Sequence, residues 1–426
     1  MQIHVVKSGD TLNNIAQAYG SSAPKIGDIN EIPDPNRLVV GQSLVIPIIG
    51  QFRWVQPGES LWLISRRYQV SAEEIVRINK IPNPNNIPIG LRLYLPQKPK
   101  RIVDVNAYID PRITRGRSAE AVDKVGEYLT YLAIFSYAVN REGNLTPVDD
   151  QATLMAAFKD GVLPLLVLTN FENGQFSTEI ATAILTNEVL QDRVLNQALQ
   201  IMAEKGYRGL DFDFEYLGAA NRERYVRFLQ KARKLLKPRG YYISAALAPK
   251  YRTDQRGVLY EGHDYQAIGQ VVDFIFFMTY EWGYSGGSPM AVSPINQMRK
   301  VMEYAISVVP KEKIMMGMPL YGYDWTLPYV RGGKSAKSFS PQRAVELALH
   351  YGVNIKYDKV SQTPWFRYTD EQGKKHEVWF EDARSMQAKF DLVKELGIRG
   401  FYYWVLGNDF PQNWLLIKDN FIVRKR

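Results

Sequence analysis

Short apolar runs alternate with amphipathic segments from residue 101 to residue 426, and this alternation constrains the fold more than any other feature. The apolar runs have the length of buried strands, and segments such as 221–236 carry apolar residues at helical spacing. Eight strands with intervening helices predict an α/β fold of the (β/α)8 barrel type. The predicted strands are Ile102–Ala107, Tyr131–Ser136, Leu165–Thr169, Gly209–Phe214, Tyr242–Leu247, Phe274–Thr279, Ile314–Pro319 and Gly400–Trp404.

The fourth predicted strand carries three acids at alternate positions, Asp211, Asp213 and Glu215, separated by bulky apolar residues. Alternate side chains of a strand share one face, so the three carboxylates should lie together. Buried acids are costly and are found mainly where they do chemistry. Glu215 ends the strand, and barrel enzymes keep their active sites at that end. The alternative reading is an edge strand with a polar, solvent-facing side.

The ends of the other predicted strands carry aromatic and polar residues that should converge on the same rim. Flat aromatic rings beside carboxylates are typical of carbohydrate sites. Any one of these rings could equally be core packing, and the convergence is what favours a site. The candidate substrate-binding residues are Tyr108, Asn170, Tyr280, Glu281, Trp282, Tyr321 and Trp404.

The first hundred residues are a gap-free tandem repeat with an offset of 49 positions. Val6–Leu12 aligns with Val55–Leu61, and Asn30 aligns with Asn79. Each unit reads as βααβ, with Thr11 or Ser60 as the cap of its first helix. We therefore expect small domains at residues 1–49 and 50–97, a polar linker at 96–101 and a large domain at 101–426.

The repeated motifs, SGDTL followed by IA and Y and then GQSLVIP, resemble the LysM module. The resemblance implies binding of chains that contain N-acetylglucosamine, in a groove between the loop after the first strand and the loop before the last. The alternative interpretation is that Gly9 and Thr11 are present only because the loop needs a turn and the first helix needs a cap. The groove residues that the resemblance implies are Gly9, Asp10, Thr11 and Ile32 in the first unit, and Gly58, Glu59, Ser60 and Ile81 in the second.

The large domain is similar to glycoside hydrolase family 18, whose signature is D-x-x-D-x-D-x-E. Its last three acids fall on Asp211, Asp213 and Glu215, while Arg208 stands at the first position. MTYE resembles the MTYD segment of the family, with Glu281 in place of Asp, and GMPLYGYDW and Trp404 also match. The Ser-x-Gly-Gly of the third strand is absent, and Val167–Asn170 stands there.

The resemblance also implies a mechanism in which the substrate's own 2-acetamido group is the nucleophile. Glu215 would be the general acid and Asp213 would orient the acetamido N–H. Tyr280 would bind the acetamido oxygen, Trp404 would form the floor under that sugar, and Asp211 would share a proton with Asp213. No metal and no cofactor are expected.

Composition limits the classes of molecule that the chain is expected to bind. The net charge of +9 and the pI of about 9.3 favour a polyanionic partner, which is nucleic acid, an anionic membrane or an anionic cell-wall polymer. There is no Lys/Arg block, which argues against nucleic acid. There is no cysteine and no run of 18 apolar residues, which argues against disulfides and a membrane span. The N-terminus has no standard signal peptide. We expect a monomer.

Together, the two repeats, the barrel and MTYEWG resemble the spore cortex-lytic N-acetylglucosaminidases, which implies peptidoglycan as substrate and the bacterial spore coat or cortex as location. The bond cut would be the β-1,4 bond after N-acetylglucosamine, with retention. A chitinase and an inactive glycan-binding lectin are the alternatives. Between the last two strands, residues 323–381 read as one or two hairpins, so we expect at most a reduced insertion and an open groove.

Overall fold

A computed structural model describes residues 1–97 and 99–426, so Lys98 in the predicted linker lies outside the described residues. The first 95 residues form two βααβ modules. The first module contains β1 (Gln2–Val5), α1 (Leu12–Tyr19), α2 (Ala23–Ile29) and β2 (Ser43–Ile46). The second module contains β3 (Gln51–Trp54), α3 (Leu61–Tyr68), α4 (Ala72–Asn79) and β4 (Arg92–Leu95). Each pair of strands is antiparallel.

The repeated residues of the two modules have repeated structural roles. Thr11 caps α1 by accepting from the Asn14 amide, and Ser60 caps α3 in the same way. The side-chain amides of Asn30 and Asn79 each pair with the backbone of the last strand, at 2.6–2.8 Å. These asparagines satisfy polar backbone groups at the centre of each module, which explains their recurrence at the 49-residue offset.

The remaining chain alternates strands and helices as the sequence predicts. The strands are β5 (Arg101–Ile109), β6 (Tyr131–Ala138), β7 (Leu163–Thr169), β8 (Phe171–Glu172), β9 (Gln175–Phe176), β10 (Gly209–Asp213), β11 (Tyr242–Leu247), β12 (Phe274–Phe277), β13 (Ile314–Pro319), β14 (Gly322–Leu327), β15 (Lys337–Phe339), β16 (Lys356–Asp358), β17 (Thr363–Thr369), β18 (Lys375–Trp379), β19 (Gly400–Trp404) and β20 (Phe421–Val423). The helices are α5 (Pro111–Thr114), α6 (Ser118–Val125), α7 (Gln151–Lys159), α8 (Thr178–Thr186), α9 (Glu188–Lys205), α10 (Arg222–Leu236), α11 (Val258–Glu261), α12 (Tyr265–Val271), α13 (Ile295–Val308), α14 (Pro341–His350), α15 (Ala383–Leu396) and α16 (Pro411–Asn420).

Eight of these strands form a closed parallel barrel in the order β5, β6, β7, β10, β11, β12, β13, β19, and β19 pairs back onto β5. β20 adds to the beginning of β5. The (β/α)8 prediction is confirmed. No helix in the part of the chain that the structure describes is long and apolar enough to cross a membrane.

The fourth barrel strand, β10, shows how the alternating sequence is used. Phe212 and Phe214 point outward and meet helix α10, where the ring of Phe212 lies edge-on to Phe228 at 5.5 Å. Asp211 and Asp213 point into the barrel and are almost completely buried. The aromatic face therefore holds the strand against its helix, and the acidic face is directed to the barrel axis.

The expectation of a reduced insertion is wrong. Strands β14 to β18 form one five-stranded antiparallel sheet, in the order β15, β14, β18, β17, β16, and helix α14 packs on one of its faces. The predicted turn at Glu371–Gly373 does join β17 to β18. The sequence did not indicate the sheet because β14 pairs with β18 across an intervening helix and three strands, two of them only three residues long. We call residues 322–379 the insertion.

Candidate active site

The acidic face of β10 leads through the barrel to its carboxyl-end rim. Asp211 lies deepest and accepts hydrogen bonds from the Tyr108 hydroxyl and from Ser244 Oγ, the latter at 2.6 Å. Burial raises the pKa of Asp211 to about 6, although both hydrogen bonds favour its charged form. Asp211 therefore takes up a proton more readily than an ordinary Asp carboxyl group does.

Asp213, the next acid along the strand, is buried and offers an unused hydrogen-bonding atom. Its Oδ1 has no partner among the described residues, although only 4% of the side chain surface is exposed. Burial, together with the charges of Glu215 and Asp211, raises its pKa well above the usual range. A buried carboxyl oxygen without a partner is costly, which favours a ligand N–H or a shared proton at this position.

Glu215 lies at the rim, just beyond the end of β10, and is only partly buried. Burial and then the charge of Glu281 raise its pKa to about 8. Such a carboxyl group is mostly protonated at neutral pH and can donate a proton to a leaving group. The following residue, Tyr216, has a left-handed backbone with φ of 54°, which turns the chain away from the rim directly after Glu215.

Two side chains hold the backbone around Glu215. The amide of Asn170 accepts from Glu215 N at 3.0 Å and donates to Glu215 O at 2.9 Å. His263, which is fully buried, donates through Nε2 to Phe214 O at 2.9 Å and accepts from Ala248 N at Nδ1. Burial lowers the pKa of His263 to about 4, so its ring is neutral. The side-chain amide of Asn170 is thus engaged with backbone groups of Glu215 and Ser177, and nothing in the sequence pointed to His263.

The aromatic residues of the rim form a wall next to the acids. The hydroxyls of Tyr280 and Tyr402 are hydrogen-bonded at 3.1 Å. Glu281 Oε1 accepts from the hydroxyls of Tyr321 and Tyr323, the latter at 3.0 Å. Tyr280, Trp404 and Tyr321 belong to one hydrophobic cluster. The structure therefore brings together most of the residues that the sequence predicted for the rim.

Two predicted substrate-binding residues lie away from the open rim, and the residue at the first signature position lies at the other end of its strand. Tyr108 is buried beneath the rim and serves Asp211, so it supports the acids from below. Trp282 packs against the core between the strands and the helices, because the chain turns outward after Glu281, whose φ is 66°. Arg208 is exposed just before the amino end of β10, so the side chain at the first signature position lies away from the rim that carries Glu215.

A cleft of about 450 Å³ opens on the rim beside Trp404. Phe135, one of its lining residues, meets the Trp404 ring edge-on at 5.1 Å. Phe171 and Arg112 line the same cleft, and the guanidinium of Arg112 lies 4.8 Å from the Phe171 ring centre. The cleft therefore lies to one side of the acids of β10, which do not line it.

The loops predicted to bind glycan in the two modules share one internal scaffold. In the first module His4 bridges Asp10 and Tyr19, at 2.9 and 3.0 Å. In the second module Arg53 takes the same place between Glu59 and Tyr68. The carboxylates of Asp10 and Glu59 are therefore engaged within the loops.

The other predicted groove residues differ in what they leave accessible. Gly9 and Gly58 have positive φ angles of 87° and 79° and are exposed. Thr11 and Ser60 act as helix caps. Ile32 is half-buried, whereas Ile81 is buried within its module. Gly9 and Thr11 of the first loop and Gly58 and Ser60 of the second are thus the exposed positions among the predicted groove residues.

A closed barrel whose fourth strand leads three acids to the carboxyl-end rim, preceded by two small βααβ modules, fits a glycosidase with attached modules. Residues 167–409 match the model for glycosyl hydrolases family 18, and residues 4–47 and 55–96 match the LysM domain. The chain belongs to glycosyl hydrolase family 18.

Several proteins resemble the chain over its whole length. It is 52% identical to the cortical fragment-lytic enzyme of Bacillus subtilis (strain 168), over 100% of the chain and 99% of that enzyme. It is 48% identical to the enzyme of the same description from Bacillus anthracis, over all of both chains. The crystal structure of the spore cortex-lytic enzyme SleL from Bacillus megaterium QM B1551 superposes with a TM-score of 0.89, at 47% identity and 100% and 99% coverage.

Proposed function

We propose that this chain hydrolyses spore cortex peptidoglycan at the β-1,4 bond after N-acetylglucosamine, with retention of configuration. The observation that carries the proposal is the order of the three acids on β10. They lead from a buried, hydrogen-bonded Asp211, through Asp213 with its unpartnered oxygen, to Glu215 with a pKa raised to about 8. The similarity to cortex-lytic enzymes over the full length supports peptidoglycan as the substrate.

In the proposed first step Glu215 donates its proton to the glycosidic oxygen as the bond to the anomeric carbon breaks. The acetamido oxygen of the same sugar attacks that carbon and forms a cyclic oxazolinium ion, so no second carboxylate is needed as nucleophile. Asp213 accepts the acetamido N–H at its free oxygen, and Asp211 holds a proton that Asp213 can share. Charge on Asp213 stabilises the developing positive charge.

In the second step Glu215, now ionised, removes a proton from a water molecule that attacks the anomeric carbon from the side of the departed group. The ring opens, the acetamido group is restored and the configuration is retained. Tyr280 supplies a hydroxyl for the acetamido oxygen, and Trp404 supplies an apolar surface under the sugar ring. Both side chains lie in the same rim cluster.

The two modules and the surface charge support a polymeric, anionic substrate. We propose that the loops at Gly9–Thr11 with Ile32, and at Gly58–Ser60 with Ile81, bind N-acetylglucosamine units of the glycan. The net charge of +9 favours association with an anionic wall. We also propose that the protein acts in the spore, as the names of its relatives suggest, and that it is monomeric.

The decisive variant is Glu215→Gln. We expect it to lose hydrolysis of purified cortex peptidoglycan by about 10²–10⁴-fold, because the amide cannot donate a proton to the leaving group. Binding to insoluble peptidoglycan should remain. Glu204→Gln, on the exposed surface of α9, is the matched control. Undiminished turnover by Glu215→Gln would contradict the assignment of the acid.

The bond and the mechanism require separate experiments. Borohydride reduction of the products followed by mass spectrometry should yield N-acetylglucosaminitol ends. NMR early in the reaction should show the β-anomer first. A substrate with N-trifluoroacetyl in place of N-acetyl should react much more slowly, since its carbonyl oxygen is a weaker nucleophile. Products from chitin alone would instead favour a chitinase, and binding without products would favour a lectin.

A further inference from the structure

The first module is packed directly on the catalytic domain, and its contacts extend into two hydrophobic cores. Val45 of β2 belongs to the buried cluster that lies between the barrel strands and their helices. Val39 belongs to the cluster that lies under the sheet of the insertion. One small module therefore contributes side chains to the cores of both the barrel and the insertion.

Polar contacts fix the same module to the beginnings of barrel helices. Ser43 Oγ accepts from Ala383 N at 3.2 Å, and the Gly41 carbonyl accepts from Arg384 at 2.9 Å, both at the start of α15. Gln412, near the start of α16, donates to the buried Asn30 carbonyl at 3.1 Å. In a (β/α)8 barrel the helices begin at the active-site end. The module is thus attached at the end of the barrel that carries Glu215.

A second set of contacts joins the module to the insertion. Ile355 N, just before β16, donates to the Val40 carbonyl at 2.9 Å. Gln342 of α14 donates to the Glu31 carbonyl at 2.6 Å. Gly41 lies so close to the insertion that a Cβ built on it would be 1.8 Å from the Ile355 oxygen. The turn of the first module is therefore wedged against the edge of the insertion.

The second module provides an internal comparison. Gly90 occupies the position of Gly41 and has a similar φ, +81° against +87°. A Cβ on Gly90 would meet nothing within 4 Å. The same turn is thus wedged in one module and open in the other.

The insertion in turn contacts Glu281, whose charge acts on the proposed acid. Tyr323, on β14, donates to Glu281, and the charge of Glu281 contributes to the raised pKa of Glu215. β14 is joined through β18 and β17 to β16, the strand that follows Ile355. A continuous hydrogen-bonded sheet therefore runs from the wedged turn of the first module to the side chain next to the proposed acid.

We propose that the first LysM module is a positioning element of the active site: wedged between α15, α16 and the insertion, it holds Tyr323 against Glu281 beside Glu215. The corresponding turn of the second module, at Gly90, is open, and this module acts in binding the wall. The inference rests on Glu215 being the acid, as proposed above. It predicts that loosening the first module alters catalysis even on substrates too short to need a wall anchor.

The test compares Gly41→Ala with Gly90→Ala in the full-length protein. Both place alanine at a positive φ, which costs a similar backbone strain. Only Gly41→Ala adds the clash with Ile355. We expect it to lower kcat/KM on a short soluble muropeptide by about tenfold or more, since small misplacements near the reacting groups are costly. Gly90→Ala should stay within about twofold of wild type.

The pH profile separates positioning from simple loss of stability. A loosened insertion admits water and moves Glu281 away from Glu215, so both causes of the raised pKa weaken. The alkaline limb of kcat/KM should move to lower pH in Gly41→Ala and stay in place in Gly90→Ala. Unfolding of a fraction of the molecules would lower kcat/KM by the same factor at every pH and would leave the alkaline limb at the same pH.

Hydrogen exchange at the Ile355 amide reports whether the module has been displaced. Faster exchange with a shifted limb supports the inference. Faster exchange with an unchanged pH profile of kcat/KM overturns the inference. Retained protection of the Ile355 amide also overturns it, because the contact would then accommodate the added Cβ without displacing the module. If Gly41→Ala does not fold, the double variant Gln342→Ala/Gln412→Ala loosens the module from the outside and should shift the limb in the same direction. Full activity of Glu215→Gln would instead defeat the proposed function.

Discussion

At the scale of single residues, the site depends on three carboxyl groups whose surroundings keep them different. Asp211 has two hydrogen-bond donors, Asp213 has an oxygen without a partner, and Glu215 is partly accessible at the rim. Burial raises all three pKa values, and neighbouring carboxylates add to the effect for Asp213, beside Glu215 and Asp211, and for Glu215, through the charge of Glu281. The environment of each acid therefore fits the separate role proposed for it.

The pH dependence should follow from this arrangement. A general acid works when it is protonated, so activity should be present below the pKa of Glu215, about 8, and be lost as the pH rises through it. Glu281→Gln removes a charge that raises this pKa, so the alkaline limb of kcat/KM should move to lower pH. Glu223→Gln, an exposed change on α10, should leave the limb unmoved. A limb that stays in place in Glu281→Gln would contradict the coupling.

At the scale of elements, β10 contributes both to the stability of the barrel and to the site. One set of its alternate residues packs on α10, and the other set points into the barrel. Phe212→Ala should lower the free energy of unfolding by about 3–5 kcal/mol, since the ring is fully buried against Phe228. Urea unfolding would measure the change. Val189→Ala, at a position that is 68% exposed, should stay within about 0.5 kcal/mol of wild type. Equal effects of the two changes would contradict this packing.

The barrel strands were predictable because each one is a local pattern. The predicted β11, β13 and β19 agree with the structure at both ends, and the other strands differ by a few residues. The three acids and the wall at Tyr280, Tyr321 and Trp404 were also predictable, because parallel strands bring their carboxyl ends to one rim. Periodicity specifies which face a residue lies on, and the closed barrel specifies which faces meet.

The parts of the structure that could not be predicted depend on contacts between distant segments. The sheet of the insertion pairs β14 with β18, and no local pattern indicates that register. The contact of Gly41 with Ile355 joins residues more than 300 positions apart. Trp282 follows the end of a barrel strand, as a rim residue would. Its side chain nevertheless packs against the core, because the left-handed backbone of Glu281 turns the chain outward. Such features follow from tertiary packing rather than from composition or spacing.

At the scale of the whole molecule, the modules and the barrel are stacked in series. The second module contacts the first through Phe52 N, which donates to Gln2 at 2.8 Å, and through the rings of Trp54 and Tyr19, 5.5 Å apart. The first module then packs on the barrel and the insertion. The orientation of both modules relative to the catalytic rim is therefore set by packed surfaces as well as by the linker.

The net charge of the molecule predicts how wall binding responds to salt. The +9 charge is spread over the surface, and screening shortens its range from about 10 Å at 0.1 M salt to about 3 Å at 1 M. Binding of Glu215→Gln to anionic peptidoglycan should therefore weaken several-fold over this range. Binding of the same variant to uncharged chitin should change little, because only the module grooves and the rim would act there. Sedimentation of the protein with each insoluble polymer measures both, and an equal loss on chitin would show that surface charge does not direct the enzyme to the wall.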